Sequence, residues 1–367
     1  MLKKFITFIL IICMYSKPAY ALETSAEGCV VISGDTRQII YNDNAFEKMG
    51  MASTTKIMTA IVALENGNTS DIFTVSDNAQ NQEGSSIYLR TGDKITLEDL
   101  LYGLMLNSGN DAAVAIAEGI GNSVDNFVLM MNEKAKEIGC KKTQFKNPNG
   151  LSDPEHYSTA YDLALIMAYA MENEEFAKIV STKEYQIKNE RALTYLRNHN
   201  KLLWQTKECI GGKTGFTKAN GRCLVSCAEQ DGVRIVAVTL NDRDDWIDHK
   251  GLYEYAFKKL KKTEVIKKNE ILCTRNIRGT KVNILAGESF DASLKNGKKH
   301  GILCKINFNE SINSKINFGT KIGTAEIYAD KHKIGSISIV SGQQVKMDFK
   351  SIFHDNFDYM LRFVLLK

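Results

Sequence analysis

The sequence predicts an α/β (α+β) domain, an antiparallel sheet flanked by helices, followed by a small all-β domain. Three observations carry that prediction. Apolar residues recur at helical spacing in several segments between residues 56 and 171. Apolar strands stand on either side of that block, at 29–41 and 223–240. After residue 262 the texture changes to short alternating strands with polar turns.

Residues 1–21 read as a signal peptide: Lys3 and Lys4, an apolar stretch from Phe5 to Tyr15, and the small-x-small site Ala19-Tyr20-Ala21. That stretch is too short for a comfortable membrane span, so the mature protein is expected to begin at Leu22, exported across the cytoplasmic membrane. Cys29–Ile32, Ser33-Gly34-Asp35 and Ile39–Tyr41 form a predicted β-hairpin. A helix follows from Ser53 to near Asn66-Gly67. The polar, glycine-containing stretch 68–96 contains two short strand-like pieces, Phe73–Val75 and Ile87–Leu89.

Thr96-Leu97-Glu98-Asp99 is a capping-box start for a helix through Leu106. Ser108-Gly109-Asn110 interrupts the pattern, and Ala112–Glu118 resumes it. A further helix, about Val124 to Ile138, stops at Gly139, a suitable C′ glycine. The only prolines of the mature chain, Pro148 and Pro154, bracket a turn-rich loop that reads as the wall of a site. Ser158 or Thr159 caps the next helix, Ala160–Met171.

Gly211-Gly212 leads into Lys213-Thr214-Gly215-Phe216-Thr217, expected just before a strand. Cys223–Ala228 and Val233–Leu240 are apolar strands joined at Asp231-Gly232, a strong hairpin turn. Residues 245–262 look helical. The predicted organisation is a signal peptide at 1–21, a catalytic domain at 22–262, an all-β domain at 263–346 and an amphipathic segment at 347–367. In that last segment Phe349, Phe353, Phe357, Met360, Leu361 and Val364 recur at helical spacing. Such a helix fits a membrane surface or packing on the protein equally well.

Composition excludes several classes. The net charge is +4, of which Lys3, Lys4 and Lys17 contribute three, so the mature chain has no basic bias for nucleic acid. Removal of Cys13 leaves an odd number of cysteines from the total of 8. Cys223 and Cys227 stand roughly 13 Å apart along a strand, too far for a disulfide. With no Cys-x-x-Cys and no His-x-x-x-His, neither a metal site nor a cofactor is expected.

The chemistry concentrates at Ser53-Thr54-Thr55-Lys56. Positions i and i+3 share a helix face, so the Ser53 hydroxyl and the Lys56 amine can meet. A hydroxyl is a weak nucleophile until a base takes its proton, and a buried lysine beside another cation becomes that base. Alone, Ser-x-x-Lys also describes an N-cap serine with a surface lysine. Ser108-Gly109-Asn110 and Lys213-Thr214-Gly215 change the reading: the three motifs occur in the order known for penicillin-binding proteins and class A β-lactamases.

With these motifs the chain resembles the low-molecular-weight penicillin-binding proteins, the serine-type D-alanyl-D-alanine carboxypeptidases (peptidase family S11), over residues 24–262. Gly84-Ser85-Ser86, Asn149-Gly150-Leu151, Ala160-Tyr161-Asp162 and Asn200-Lys201-Leu202-Leu203 extend the match. The resemblance implies a serine β-lactamase/transpeptidase-like catalytic domain. It implies Ser53 as the nucleophile forming an acyl-enzyme, Lys56 as general base and Ser108 as proton relay to the leaving D-alanine. Asn110 would orient the substrate amide, and Lys213 with Thr214 would hold the terminal carboxylate. Gly215, Phe216 and Thr217 complete the substrate strand, with the N–H groups of Ser53 and Phe216 as oxyanion hole. Thr217 and Arg234 are weaker candidates for carboxylate contact. The implied substrate is the peptidoglycan pentapeptide and the implied inhibitors are β-lactams.

Three rivals share parts of this pattern. A class A β-lactamase would carry a Glu-x-x-Leu-Asn loop, whereas 147–155 offers only Asp153 and Glu155. A transpeptidase would use the same acyl-enzyme with an amine acceptor. A non-catalytic wall-binding scaffold would have no need for Ser53, Lys56, Ser108 and Lys213 together. No histidine falls in a motif, and His156 reads as a loop hydrogen-bonder.

Overall fold

The structure, a computed structural model, describes residues 22–188, 193–277, 280–309, 316–329 and 332–345, and the backbone of a strand at 363–365. The predicted signal peptide and most of the C-terminal segment lie outside the described residues. The chain opens with the expected hairpin, β1 (Gly28–Ser33) and β2 (Ile39–Asp43). A 3₁₀ turn, Ala52–Thr55, then feeds α1 (Lys56–Asn66). β3 (Ile72–Thr74) pairs with β4 (Lys94–Thr96), and the short α2 (Asp77–Gln80) lies between them in sequence. Ile87–Leu89 is a loop rather than a strand, because the amides of Ile87 and Leu89 donate to the carboxylate of Asp111, and that of Tyr88 to Ser86 Oγ, instead of to a neighbouring strand.

α3 (Leu97–Leu106) begins at Thr96, whose hydroxyl accepts from the Asp99 amide. α4 (Asn110–Gly121) and α5 (Val124–Ile138) follow, the latter closed by Gly139 at φ +102°. α6 (Ala160–Ala170) is capped by Thr159, the second of the two expected residues. α7 (Glu174–Ser181), the hairpin β5 (Glu184–Lys188) with β6 (Leu193–Arg197), and α8 (Leu202–Gln205) lead to three long strands. These are β7 (Cys209–Thr217), β8 (Gly221–Gln230) and β9 (Val233–Leu240), followed by α9 (Asp245–Lys259).

The main sheet is antiparallel with order β2-β1-β9-β8-β7. Both faces are covered. Val30 and Ile32 of β1 pack among the helices α1 and α3–α6, while Cys29 and Val31 face the side covered by α9. A sheet buried on both faces needs apolar residues at successive positions, which is why β1, β8 and β9 read as unbroken apolar runs. The β8–β9 hairpin turns at Asp231 (φ +52°) and Gly232 (φ +72°), the left-handed pair that such a tight turn requires.

β10 (Leu260–Ile266) continues from α9 without a linker, so Lys261 and Lys262 belong to a strand rather than to the helix end. It pairs with β13 (Phe290–Lys295), which follows β11 (Ile271–Ile277) and β12 (Thr280–Ala286). β14 (Ile302–Phe308), β15 (Lys321–Ala329), β16 (His332–Ser341) and β17 (Phe363–Leu365) complete a sheet of order β11-β12-β16-β15-β14-β17 with its own apolar core. At 363–365 the chain is therefore a strand on β14, not the helix that its spacing suggested. Ser293 fastens this domain to the first hairpin: its amide donates to Asp35, and Ser33 and Thr36 donate to its carbonyl. Among the described residues no helix is long and apolar enough to cross a membrane.

Candidate active site

Ser53 stands on the 3₁₀ turn rather than in the first α-turn. In a 3₁₀ turn residues i and i+3 eclipse, which places Ser53 directly over Lys56. The turn is held by Thr54 and Thr55, whose hydroxyls donate to the carbonyls of Met51 and Ala52 at 2.6 and 2.8 Å. Ala52 adopts φ +46°, a left-handed conformation that is costly for a residue with a Cβ. This strain marks the turn as built for presentation.

Lys56 is fully buried, with its Nζ 3.0 Å from Ser53 Oγ. Its other neighbours are two carbonyl oxygens, Asn110 Oδ1 at 2.7 Å and Asn149 O at 2.5 Å. Burial pushes the amine well below the usual lysine range. The nearby Lys213 pushes it further down, and Asp111 opposes the shift. A neutral amine has two N–H donors and one lone pair. The two carbonyls take the donors, and the lone pair is left for the Ser53 hydroxyl proton.

The loop between α3 and α4 supplies Ser108, and Asn110 opens α4. Ser108, at φ +61°, is buried and its Oγ has no hydrogen-bond partner among the described residues. Such orphaned hydroxyls in a folded interior are rare and point to a ligand contact. Asn110 Nδ2 donates to Glu83 O at 2.6 Å, fixing the side chain so that Oδ1 faces Lys56. Asp111, which the motif reading passed over, is fully buried and accepts from Ser86 Oγ and from the amides of Ile87, Leu89 and Ala112. It pins the 84–89 loop beside the site.

Lys213, Thr214, Gly215, Phe216 and Thr217 lie within β7, not ahead of a strand. β7 is the edge of its sheet, so it can pair with an extended substrate. Lys213 is buried, its Nζ donates to Thr214 O at 2.9 Å, and burial lowers its pKa to about 7. Gly215 lets the strand touch the serine turn: a Cβ there would stand 3.0 Å from Ser53 N and 3.1 Å from Met51 O. Phe216 is exposed. The Thr217 hydroxyl is engaged elsewhere, accepting from the Asn220 amide and from Ser152 Oγ.

A cleft of about 430 Å³ brings together Ser53, Ser108, Thr214, Gly215 and Phe216. Lys56, Asn110 and Lys213 are buried around it, and Thr217 is not among its lining residues. Four residues that the sequence reading did not single out also line it: His199, Arg222, Asp245 and Trp246. Arg222 pairs with Phe216 across the β7–β8 ladder, a position that recognising the 217–221 turn would have revealed. Arg234 is remote from the cleft, paired with Glu229 and donating to Met171 O. His156 is the loop hydrogen-bonder expected, between Thr55 Oγ1 and the Lys146 amide, and burial lowers its pKa to about 4. The described cysteines are all free and mostly buried. Among the described residues no group of three His, Cys, Asp or Glu could hold a metal ion.

Residues 15–244 match the family model for D-alanyl-D-alanine carboxypeptidase (Peptidase_S11), and residues 260–347 match that for the penicillin-binding protein 5 C-terminal domain. The chain is 31% identical over 340 residues to the D-alanyl-D-alanine carboxypeptidase DacF of Bacillus subtilis, covering 89% of this chain and 87% of that one. Penicillin binding protein 5 of Haemophilus influenzae has a similar structure, with a TM-score of 0.69 at 26% identity, over 90% of this chain and 100% of that one. A variant of the Streptomyces K15 DD-transpeptidase superposes with a TM-score of 0.61 at 32% identity, over 64% of this chain and 99% of that one.

Proposed function

This chain belongs to the D-alanyl-D-alanine carboxypeptidase family, and from that premise we propose that it removes the terminal D-alanine of peptidoglycan stem peptides through an acyl-enzyme on Ser53. The observation that carries the reading is the buried Lys56 amine 3.0 Å from Ser53 Oγ, with both its N–H groups directed at carbonyl oxygens. Ser53 Oγ attacks the carbonyl of the last peptide bond while Lys56 Nζ takes the hydroxyl proton. The oxyanion forms between the N–H groups of Ser53 and Phe216, one such donor being worth about 3–4 kcal/mol of barrier. Ser108 hands its hydroxyl proton to the departing D-alanine nitrogen and recovers one from the Lys56 ammonium, which restores the neutral amine and accounts for the otherwise unpartnered hydroxyl. Asn110 orients the substrate amide, and Lys213 and Thr214 hold the terminal carboxylate. Gly215 and Phe216 provide the edge on which the peptide lies, and Thr217 steadies the 147–154 loop. Water then hydrolyses the ester and restores Ser53.

β-Lactams acylate the same serine in this reading. Residues 22–262 form the catalytic domain, 263–346 the all-β domain and 1–21 direct export; of the segment 347–367, the strand at 363–365 docks on β14, which leaves 347–362 as the part that can meet the membrane surface. A transpeptidase reading shares every residue up to the acyl-enzyme and differs only in the acceptor.

The test is the intact mass of the mature protein after incubation with benzylpenicillin, wild type beside Ser53→Ala, with D-alanine release from a D-Ala-D-Ala peptide measured in parallel. A stable adduct and D-alanine release by the wild type alone are expected. An adduct or turnover retained in Ser53→Ala would remove Ser53 from the reaction. Rapid penicillin loss without an adduct would make the protein a β-lactamase.

A further inference from the structure

The net charge of +4 conceals a concentration of lysines where the two domains join. One short segment holds Lys258, Lys259, Lys261 and Lys262, and another holds Lys295, Lys298 and Lys299, with no Asp or Glu in 258–262 or 295–300. The remainder of the chain is therefore net acidic. Antiparallel pairing of β10 with β13 brings the two segments together. Leu260 stands opposite Lys295, the Asn296 amide donates to Lys259 O at 2.7 Å, and a Cβ on Gly297 would stand 3.9 Å from the Lys261 side chain. Further along the same ladder Glu264 stands opposite Asp291, so this ribbon is basic at one end and acidic at the other.

Most of these charges are uncompensated. Lys258, Lys261, Lys262, Lys295 and Lys298 are exposed, and Lys261, Lys262 and Lys298 make no ion pair and no side-chain hydrogen bond to the described residues. The pair of Lys258 with Glu254, at 3.8 Å between two exposed side chains, adds little. Like charges at this density repel one another, so the fold alone gives no reason to gather them. Ammonium groups act as point charges on phosphate in any orientation, and neither segment contains the planar arginine fork that a bidentate pocket would use. A chain of closely spaced phosphates gains further, because it releases its condensed counterions on meeting such a cluster.

The patch is remote from the catalytic cleft. Lys262 Nζ lies 3.3 Å from where a Gly232 Cβ would stand, at the β8–β9 turn, whereas the cleft lies at the opposite end of β8, roughly 30 Å along its strand. The patch is also remote from residues 347–362. β17 meets β14 at Lys305 and leaves it at Leu303, so the preceding segment arrives from the end of β14 away from His300. β14 is roughly 20 Å long, more than twice the Debye length of about 8 Å. A bilayer held by 347–362 therefore does not neutralise these lysines, and a polymer does.

We propose that the lysine patch formed by 258–262 and 295–300 binds a linear, phosphate-bearing polyanion, which holds the enzyme on that polymer while the cleft stays free. The inference does not depend on the acyl-enzyme reading.

The probe is fluorescently labelled long-chain inorganic polyphosphate, titrated with the mature protein at several salt concentrations and followed by anisotropy. Wild type is compared with Lys261→Gln/Lys262→Gln/Lys298→Gln and with a control, Lys94→Gln/Lys183→Gln/Lys207→Gln, which loses the same charge from exposed positions elsewhere. Sedimentation with phosphatidylcholine vesicles, with and without phosphatidylglycerol, runs in parallel. Wild-type affinity should fall steeply with salt. The patch variant should bind roughly 10-fold or more weakly, with its log–log salt slope reduced by about 2–3, and the control should change less than about twofold. Urea midpoints should agree among the three proteins, which separates lost binding from lost folding, and vesicle binding should be the same for wild type and patch variant. Absence of polyphosphate binding, binding indifferent to salt, equal losses in both variants or no loss in the patch variant would each overturn the proposal. Phosphatidylglycerol-dependent vesicle binding that the patch variant loses would assign the lysines to a bilayer and overturn it too.

Discussion

Gly150 and Ala52 meet backbone to backbone: a Cβ built on Gly150 would stand 2.0 Å from Ala52 O and 2.9 Å from Ser53 N. Both residues are left-handed, Gly150 at φ +86° and Ala52 at φ +46°. The 147–154 loop therefore holds the serine turn from one side, while the neighbouring Asn149 carbonyl takes one Lys56 N–H. Loop and turn form one unit, in which the conformation of Ser53 and the hydrogen bonding of Lys56 share a support.

Gly150→Ala tests that coupling. The new methyl has backbone rather than a flexible side chain in its way, and its φ is unfavourable for alanine. The expected result is a loss of about 2 kcal/mol or more in urea unfolding. Acylation by benzylpenicillin should slow more than about 10-fold, since displacement of a reacting group by an ångström can cost two orders of magnitude. If stability falls while the acylation rate constant stays at the wild-type value, the loop does not position Ser53.

In the proposed mechanism the two lysines set the pH profile. Lys56 acts as a base only when neutral, so kcat/KM falls as pH drops through its lowered pKa. Lys213, lowered to about 7 by burial, loses its charge above neutrality, which weakens carboxylate binding and bends kcat/KM down on the alkaline side. A bound carboxylate favours the charged Lys213, so the alkaline limb of kcat should lie at higher pH than that of kcat/KM. Because the groups interact, the limbs belong to the pair. Lys213→Met removes the neighbouring charge that helps to keep Lys56 neutral, and the acid limb of its residual activity should move to higher pH. An acid limb unmoved in that variant would show that Lys213 does not tune Lys56.

How much of this was legible depends on where the information is stored. The Ser53–Lys56 pair could be read because a three-residue spacing fixes the contact before any tertiary structure exists. β8 and β9 could be read because a sheet covered on both faces demands apolar side chains in succession. The Asn149 carbonyl could not, since a backbone acceptor leaves no letter in the sequence. Ile87–Leu89 looked like a strand because it carries the right side chains, but the buried carboxylate of Asp111 takes the amides of Ile87 and Leu89, and Ser86 Oγ takes that of Tyr88. Arg222 escaped because the start of β8 was set at Cys223. The left-handed Gly221 (φ +64°) closes the preceding turn, and β8 begins there, which pairs Arg222 with Phe216.

His249 and His156 should dominate the acid stability of the catalytic domain. His249 is fully buried between Ser226 Oγ at 2.6 Å and Thr239 Oγ1 at 3.1 Å, and burial lowers its pKa to about 3. His156 falls to about 4 for the same reason. In the unfolded chain both titrate near the ordinary value of 6.5. Below that pH the unfolded state binds protons that the folded state refuses, so stability is complete above pH 6.5 and declines as pH falls toward the folded values. The loss is on the order of 3 kcal/mol for His156 and 5 kcal/mol for His249 once pH lies below each folded pKa. Urea midpoints between pH 7 and pH 4 should therefore drop steeply. His249→Asn, which cannot titrate there and retains hydrogen-bonding capacity toward Ser226 and Thr239, should be less stable at pH 7 but show a shallower pH dependence. A slope identical to the wild type would mean that His249 does not stay neutral in the fold, and that its place between two hydroxyls does not determine acid unfolding.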